Sequence, residues 1–348
     1  MGACDSKHVL PCRRLNTNKP VTSTSNYFTA APVHQGGENH VLICALDYKK
    51  TNNPLTCTLD AKNVKSLCEA CGVRDVVMML DEQCTREAVQ TAIQQACRRC
   101  VPPNDVFIFY YSGHGVQVTD KNGDEASGQD DAFALVNEKG QISAQTLLLD
   151  DEFSDLLTAN LHPTVRSLVL TDCCHSGTIA DFSGSKWKGR SAISITGCTD
   201  EETSGDMGKG GIFTHSMLLA IDRLQTANMH DYSAGALYNA TLKEAERVFH
   251  PDQDITLETP DGFTSDQLAW PLVPVSEYKA PLSKAADHAN PEKKGNEQQK
   301  LVSTHPDTLA SMGVTPEMLK SLKTNAINMP VKAEEYFHQI QRGQCPVQ

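Results

Sequence analysis

The chain has 348 residues, 39% of them hydrophobic and 21% charged, and a formal net charge of −12. That length supports one large domain or two smaller ones with a real buried core, and the composition excludes collagen-like and strongly biased chains. The acidic balance argues against nucleic acid as a partner, because phosphate binding calls for a basic surface; cationic substrates or divalent cations suit it better.

The first segment, 1–38, is rich in Thr, Ser, Asn and Pro without periodicity and reads as an extended arm. From His40 to Leu46 an apolar run has the look of a buried parallel strand, followed by similar runs at Asp75 to Leu80, Asp105 to Tyr111, Arg166 to Thr171 and Ala192 to Thr196. Apolar residues at helical spacing predict helices over 60–72, 85–100, 151–158, 213–223 and 234–248, with a loop-rich acidic stretch before 151 and a last strand at 254–257. Strands alternating with helices imply an α/β fold, a mostly parallel sheet flanked by helices on both faces, with chemistry at the carboxyl ends of the strands. A polar linker is expected over 277–304, and a weakly periodic helical tail over 305–348 carries Leu309, Met312, Met318, Leu319 and Leu322. The main domain is then 39–276.

Thirteen cysteines without a secretory signal or an 18-residue apolar run point to reduced thiols in the cytosol. Two pairs, Cys68 with Cys71 and Cys97 with Cys100, have the spacing of zinc ligands, and also that of small boundary residues near helix ends; an interaction module built on zinc stays open at this level. The start, Met1-Gly2-Ala3-Cys4-Asp5-Ser6, fits myristoylation of Gly2 with palmitoylation of Cys4. Two acyl chains anchor a protein stably where one does not, so a peripheral position at the inner face of a membrane is expected.

Two reactive signatures follow predicted strands. The third strand runs into Ser112-Gly113-His114-Gly115, and the fourth into Asp172-Cys173-Cys174-His175-Ser176-Gly177. Neighbouring strand ends thus offer an imidazole and a thiol to one crevice, the pairing that nucleophilic catalysis by cysteine requires. Backbone N–H groups of Gly115 and Cys174 are candidates for the oxyanion hole. Side chains alternate along a strand, so Asp172 and Cys174 share a face and Cys173 faces the packing. A carboxylate at Asp172 beside the nucleophile suits a basic residue before the cut bond; capping of the following helix by Asp172 is the competing reading. Acidic residues also gather at Asp130-Asp131, Asp150-Asp151-Glu152 and Asp181, loops that could converge on calcium, which takes oxygen ligands; solvated acidic loops are the bland alternative.

These motifs, with Ile195 to Cys198 and Asp200 to Ser204, resemble the histidine and cysteine motifs of the metacaspases, in the caspase-like clan, over about 40–272. The form is type I-like, without a long proline-rich prodomain. The resemblance implies a caspase-like fold and a monomeric, calcium-dependent cysteine endopeptidase, with Cys174 as nucleophile, His114 as base and protein or peptide substrates cut after Arg or Lys. It also implies that Asp172 and Ser112 bind the basic side chain, and that Asp130, Asp150, Asp151 and Asp181 bind Ca2+. A second pocket carboxylate falls at Asp60, in a segment from Leu55 that lacks the family's usual Gly-Cys and Asn-Asp pattern. The segment from Phe182 to Arg190 reads as a mobile loop open to self-cleavage at Lys186, Lys188 or Arg190. A membrane-anchored, catalytically weak or inactive scaffold of the same fold is the alternative.

Overall fold

In the computed structural model, residues 36–119, 129–173, 179–197, 209–249 and 254–283 are described. Nine strands and five helices run along them as β1 (Asn39–Ala45), α1 (Cys57–Ala70), β2 (Asp75–Leu80), α2 (Arg86–Arg99), β3 (Val106–Ser112), β4 (Gly115–Thr119), β5 (Gln129–Ala134), β6 (Leu147–Leu149), α3 (Asp150–Asn160), β7 (Arg166–Asp172), β8 (Ala192–Thr196), α4 (Ile212–Thr226), α5 (Ala234–Val248) and β9 (Thr256–Glu258).

The main sheet has the order β2-β1-β3-β7-β8-β9. Its first five strands are parallel and β9 pairs antiparallel with β8. Parallel strands with helices on both faces must be apolar throughout, and β3 is buried along its whole length. The alternation sorts its side chains into two cores. Val106, Ile108 and Tyr110 pack with α1, α4 and α5, whereas Phe107, Phe109 and Tyr111 pack with α2 and α3. Each large apolar side chain so buried contributes about 1.5–3 kcal/mol. Helices start where short polar side chains take up orphan N–H groups: Thr85 accepts from Ala88 before α2, and Ser233 from Ala236 before α5.

The stretch before α3 is not a loop. It holds a second, antiparallel sheet, β4-β5-β6, in which Gly115 pairs with Phe133 and Ala132 with Leu149. These strands are short and carry paired aspartates, so periodicity alone does not separate them from polar turns. The linker expected from 277 also starts late, since Tyr278 and Ala280 are both buried to 5% exposure. Their N–H groups donate to Gln225 and Asp222 of α4 at 2.9 Å. The arm up to residue 35 and the tail from 284 lie outside the described residues, as do Gly2 and Cys4.

The CxxC pairs belong to different cores. Cys68 packs on the α1 face and Cys97 and Cys100 on the α2 face, with the sheet between them, so the four thiols cannot share a zinc ion. Burial pushes Cys68 and Cys100 up to about 12 and raises Cys71 and Cys97 as well, as for thiols packed among apolar side chains.

Candidate active site

The carboxyl ends of β3 and β7 lie side by side, with Ser112 in register with Asp172. The turn after β3 delivers His114. Tyr48 is the organising side chain: its hydroxyl accepts from the His114 backbone N–H at 2.9 Å, and its ring lies 4.4 Å from the imidazole. It also hydrogen-bonds the Tyr111 hydroxyl at 2.9 Å, and Tyr111 donates to the His114 carbonyl at 2.9 Å. Gly113 makes room for this pair, because a Cβ there would stand 2.6 Å and 2.7 Å from the two hydroxyls.

His114 is 9% exposed, and its Nε2 lies 2.8 Å from the Asn53 carbonyl. A carbonyl can only accept, so Nε2 carries the proton and Nδ1 the lone pair. That is the third group of a nucleophile-base-orienter arrangement, here a backbone carbonyl. Cys174, the sequence's nucleophile, lies outside the described residues, and so does its N–H; Gly115 opens β4. Cys173 is 1% exposed in the core on the α2 face, as the alternation requires.

On the other face three groups gather from distant parts of the chain. Asp60, in the first turn of α1, is fully buried and accepts from the Ser112 hydroxyl at 3.0 Å and the Gly211 N–H at 2.9 Å. Asp172 is 4% exposed and accepts from the Thr214 N–H at 2.8 Å and hydroxyl at 2.7 Å. Gly211 is the N-cap of α4 and Thr214 lies in its first turn, so two carboxylates face one helix N-terminus, whose N–H groups and dipole favour negative charge. The structure therefore brings Asp60, Ser112 and Asp172 together despite the altered segment before Asp60. Asp172 does cap a helix, but α4, 42 positions on, and not the segment that follows it directly. Gly210 and Gly211 are required beside this pair, because a Cβ on either would overlap the carboxylate of Asp60 or Asp172.

Thr214, Gly210, Gly211, Tyr48 and Asn53 were not visible as site residues in the sequence. Tyr48 sits at φ 52°, a left-handed conformation costly for an aromatic residue. Nothing in the run Tyr48-Lys49-Lys50 marks it.

The aspartates assigned to calcium are not in open loops. Asp130 and Asp131 lie in β5 at 5% and 2% exposure, Asp150 and Asp151 open α3, and Asp181 stands in a left-handed turn at φ 43°. The Asp131 N–H donates to Asp150 at 2.9 Å. Hard carboxylate oxygens are what calcium requires, so the donor chemistry fits. The arrangement does not: among the described residues no three acidic, histidine or cysteine side chains stand as a metal cage. A side chain holds the positive charge instead. Lys186 Nζ lies 3.2 Å from Asp181, 3.5 Å from Asp151 and 3.1 Å from Asp155.

The segment carrying Lys186 differs from the mobile loop expected. Phe182 and Trp187 are buried with rings 4.6 Å apart, and the Trp187 indole N–H donates to Ser154 at 2.7 Å. Arg190 donates to the carbonyls of Leu161 and Thr158 at 3.0 Å and 2.8 Å. Two aromatic anchors among glycine and serine were the signal for packing.

A parallel sheet with helices on both faces, its histidine and carboxylates at adjoining strand ends, defines a caspase-like domain. Residues 39–183 match the family described as metacaspase, peptidase C14 domain. Metacaspase-2 of Arabidopsis thaliana is 27% identical over 260 residues, 63% of this chain and 58% of that protein. Metacaspase-3 of Arabidopsis thaliana is 27% identical over 276 residues, 69% of this chain and 73% of that protein. Metacaspase-1 of Candida glabrata is 35% identical over 157 residues, 42% of this chain and 38% of that protein. Residues 39–183 thus carry a metacaspase-like peptidase domain, and the chain spans 58%, 73% and 38% of the length of these three relatives. Among solved structures, a protein of Geobacter sulfurreducens aligns with a TM-score of 0.51 and 23% identity, covering 70% of this chain and 99% of that one, a likeness of fold.

Proposed function

We propose that this chain is a calcium-dependent cysteine endopeptidase that cuts after arginine or lysine. The observation that carries the specificity is the pair of buried carboxylates, Asp60 and Asp172, held beside Ser112 at the strand ends that adjoin His114. Two negative groups at one helix N-terminus suit an arginine or lysine side chain and repel an acidic one.

In this reading His114 Nδ1 takes the proton of the Cys174 thiol, while the Asn53 carbonyl holds the ring through Nε2. The thiolate attacks the scissile carbonyl, the oxyanion is met by the N–H groups of Gly115 and Cys174, and the imidazolium gives its proton to the leaving amine. A water activated by the same imidazole then releases the acyl group. Calcium dependence rests on the oxygen-donor chemistry of Asp130, Asp150, Asp151 and Asp181 alone, since no metal cage stands among the described residues. Anchoring through acylated Gly2 and Cys4 is a separate part of the proposal and rests on the N-terminal sequence.

The test is hydrolysis of a fluorogenic peptide ending in arginine by the purified chain, in calcium or in chelator, beside Cys174→Ala and an aspartate-ended peptide. Cleavage of the arginine peptide only, present in calcium and lowered by at least about a thousandfold in Cys174→Ala, is expected. Absence of cleavage in every tube overturns the reading in favour of an inactive scaffold.

A further inference from the structure

The turn between β1 and α1 reaches His114 twice. On one side the Tyr48 hydroxyl takes the His114 backbone N–H, and the Tyr48 ring lies against the imidazole. The hydroxyl's own proton goes to the Ala134 carbonyl at 2.7 Å, and the Ala134 N–H donates to the His114 carbonyl at 3.0 Å. On the other side the Asn53 carbonyl accepts from Nε2 of the same ring. Thr51 joins the two contacts. Its N–H and its hydroxyl both donate to the Tyr48 carbonyl at 2.9 Å, and the hydroxyl oxygen accepts from the Asn53 N–H at 3.2 Å. The Leu55 N–H closes the turn on the Asp47 carbonyl at 2.8 Å, and Pro54 disfavours helical backbone at Asn53 before it. The left-handed backbone of Tyr48 persists only because these surroundings hold it, and residues so held cluster at functional sites.

We propose that Tyr48 and Thr51 are positioning residues for the peptidase reaction and act as one clamp on His114. Tyr48 fixes the backbone that carries the ring, and the Thr51 hydroxyl fixes the Asn53 carbonyl that selects its tautomer. The inference rests on the reading of His114 as the base. With Nε2 held as the donor, the lone pair stands on Nδ1, the atom that takes the thiol proton; the other tautomer offers none there. Asp60 and Asp172 take their hydrogen bonds from other groups, Ser112, Gly211 and Thr214, so loosening the clamp acts on the proton transfer and leaves the pocket in place.

The experiment compares three full-length variants with the parent: Thr51→Val, which keeps the shape and removes the hydroxyl, Thr51→Ser, which returns it, and Tyr48→Phe, which keeps the ring. For each, kcat and KM on the arginine peptide are measured beside a melting curve. Thr51→Val and Tyr48→Phe are each expected to lower kcat by about tenfold, the scale of one hydrogen bond, with KM within about twofold, and Thr51→Ser to recover it. The rate at which iodoacetamide alkylates Cys174 at neutral pH, read by peptide mass spectrometry, needs no substrate and is expected to fall in the same two variants. An unchanged kcat in Thr51→Val or Tyr48→Phe overturns the clamp, as does a rise in KM alone. An equal fall in Thr51→Val and Thr51→Ser assigns the loss to packing and overturns the role of the hydroxyl. A parent alkylated at Cys174 no faster than His114→Ala overturns His114 as the base, and the inference with it.

Discussion

Gly211 passes so close to Asp172 that a single methyl group there would overlap the carboxylate. Its φ of −84° is open to any residue, so the demand is one of space and not of backbone conformation. The site is crowded from the other side too, with Thr214 donating twice to the same oxygen. Gly211→Ala is expected to displace Asp172 and lower kcat/KM on the arginine peptide by about tenfold to a hundredfold, the scale of a 1–3 kcal/mol overpacking cost. Kinetics against the arginine peptide, with a melting curve to show that the variant is folded, check it. An unchanged kcat/KM would mean that Asp172 is not in the substrate pocket. The residue-level logic of the site is otherwise simple: each reactive side chain is held by a group with only one possible role, a carbonyl for His114 Nε2 and helix N–H groups for Asp60 and Asp172.

Among the elements, the opposite end of the sheet is tied by charge. His40 of β1 reaches Asp75 of β2 at 2.6 Å and Asp105, at the start of β3, at 2.9 Å. Arg99 at the end of α2 adds two hydrogen bonds to Asp75, at 2.7 Å and 3.0 Å. Burial pushes the Asp75 carboxyl up, but Arg99 and His40 outweigh it and hold it below its usual value. Asp105 is likewise lowered against burial, by the N–H groups of Val101 and Glu38 and by His40. A carboxylate whose folded pKa is depressed stabilises the fold above its unfolded pKa, about 3.9, and loses that contribution as pH falls through the folded value. Asp75→Asn is therefore expected to lower stability by about 1–3 kcal/mol at pH 7, with the gap to the unaltered chain closing below about pH 4. Thermal melts at pH 7, 5 and 3.5 measure it; a gap that does not change with pH would assign the loss to packing.

At the scale of the whole molecule, the segment 277–283 acts as a strap across α4. Tyr278 and Ala280 are buried, and Lys279 pairs with Asp222 at 3.1 Å. Ending the chain after Ser276 is expected to cost about 3 kcal/mol relative to ending it after Ser283, the scale of losing one buried aromatic side chain. Calorimetry of the two truncated chains checks this, and equal melting temperatures would mean that the strap contributes nothing.

How much of this was legible beforehand depends on the range of the contacts involved. The apolar runs of β1, β3, β7 and β8 marked a parallel sheet, because strands covered on both faces must be apolar at every position. The two-residue alternation put Asp172 and Cys173 on opposite faces for a purely local reason. The second sheet was hidden, since a strand of three leucines or one opening on Gln129-Asp130-Asp131 becomes regular only when its partner is beside it. The partners of the pocket carboxylates lie 52 and 42 positions away, and the separation of the two CxxC pairs depends on which side of the sheet each helix packs. Lys186 read as a cleavable basic residue, because nothing local shows that Trp187 anchors it against α3 and points it at three aspartates. Local periodicity and motif order are properties of the chain by itself; the partner of a charge is decided by tertiary packing, which brings distant donors within about 3 Å and excludes the water that would otherwise serve them.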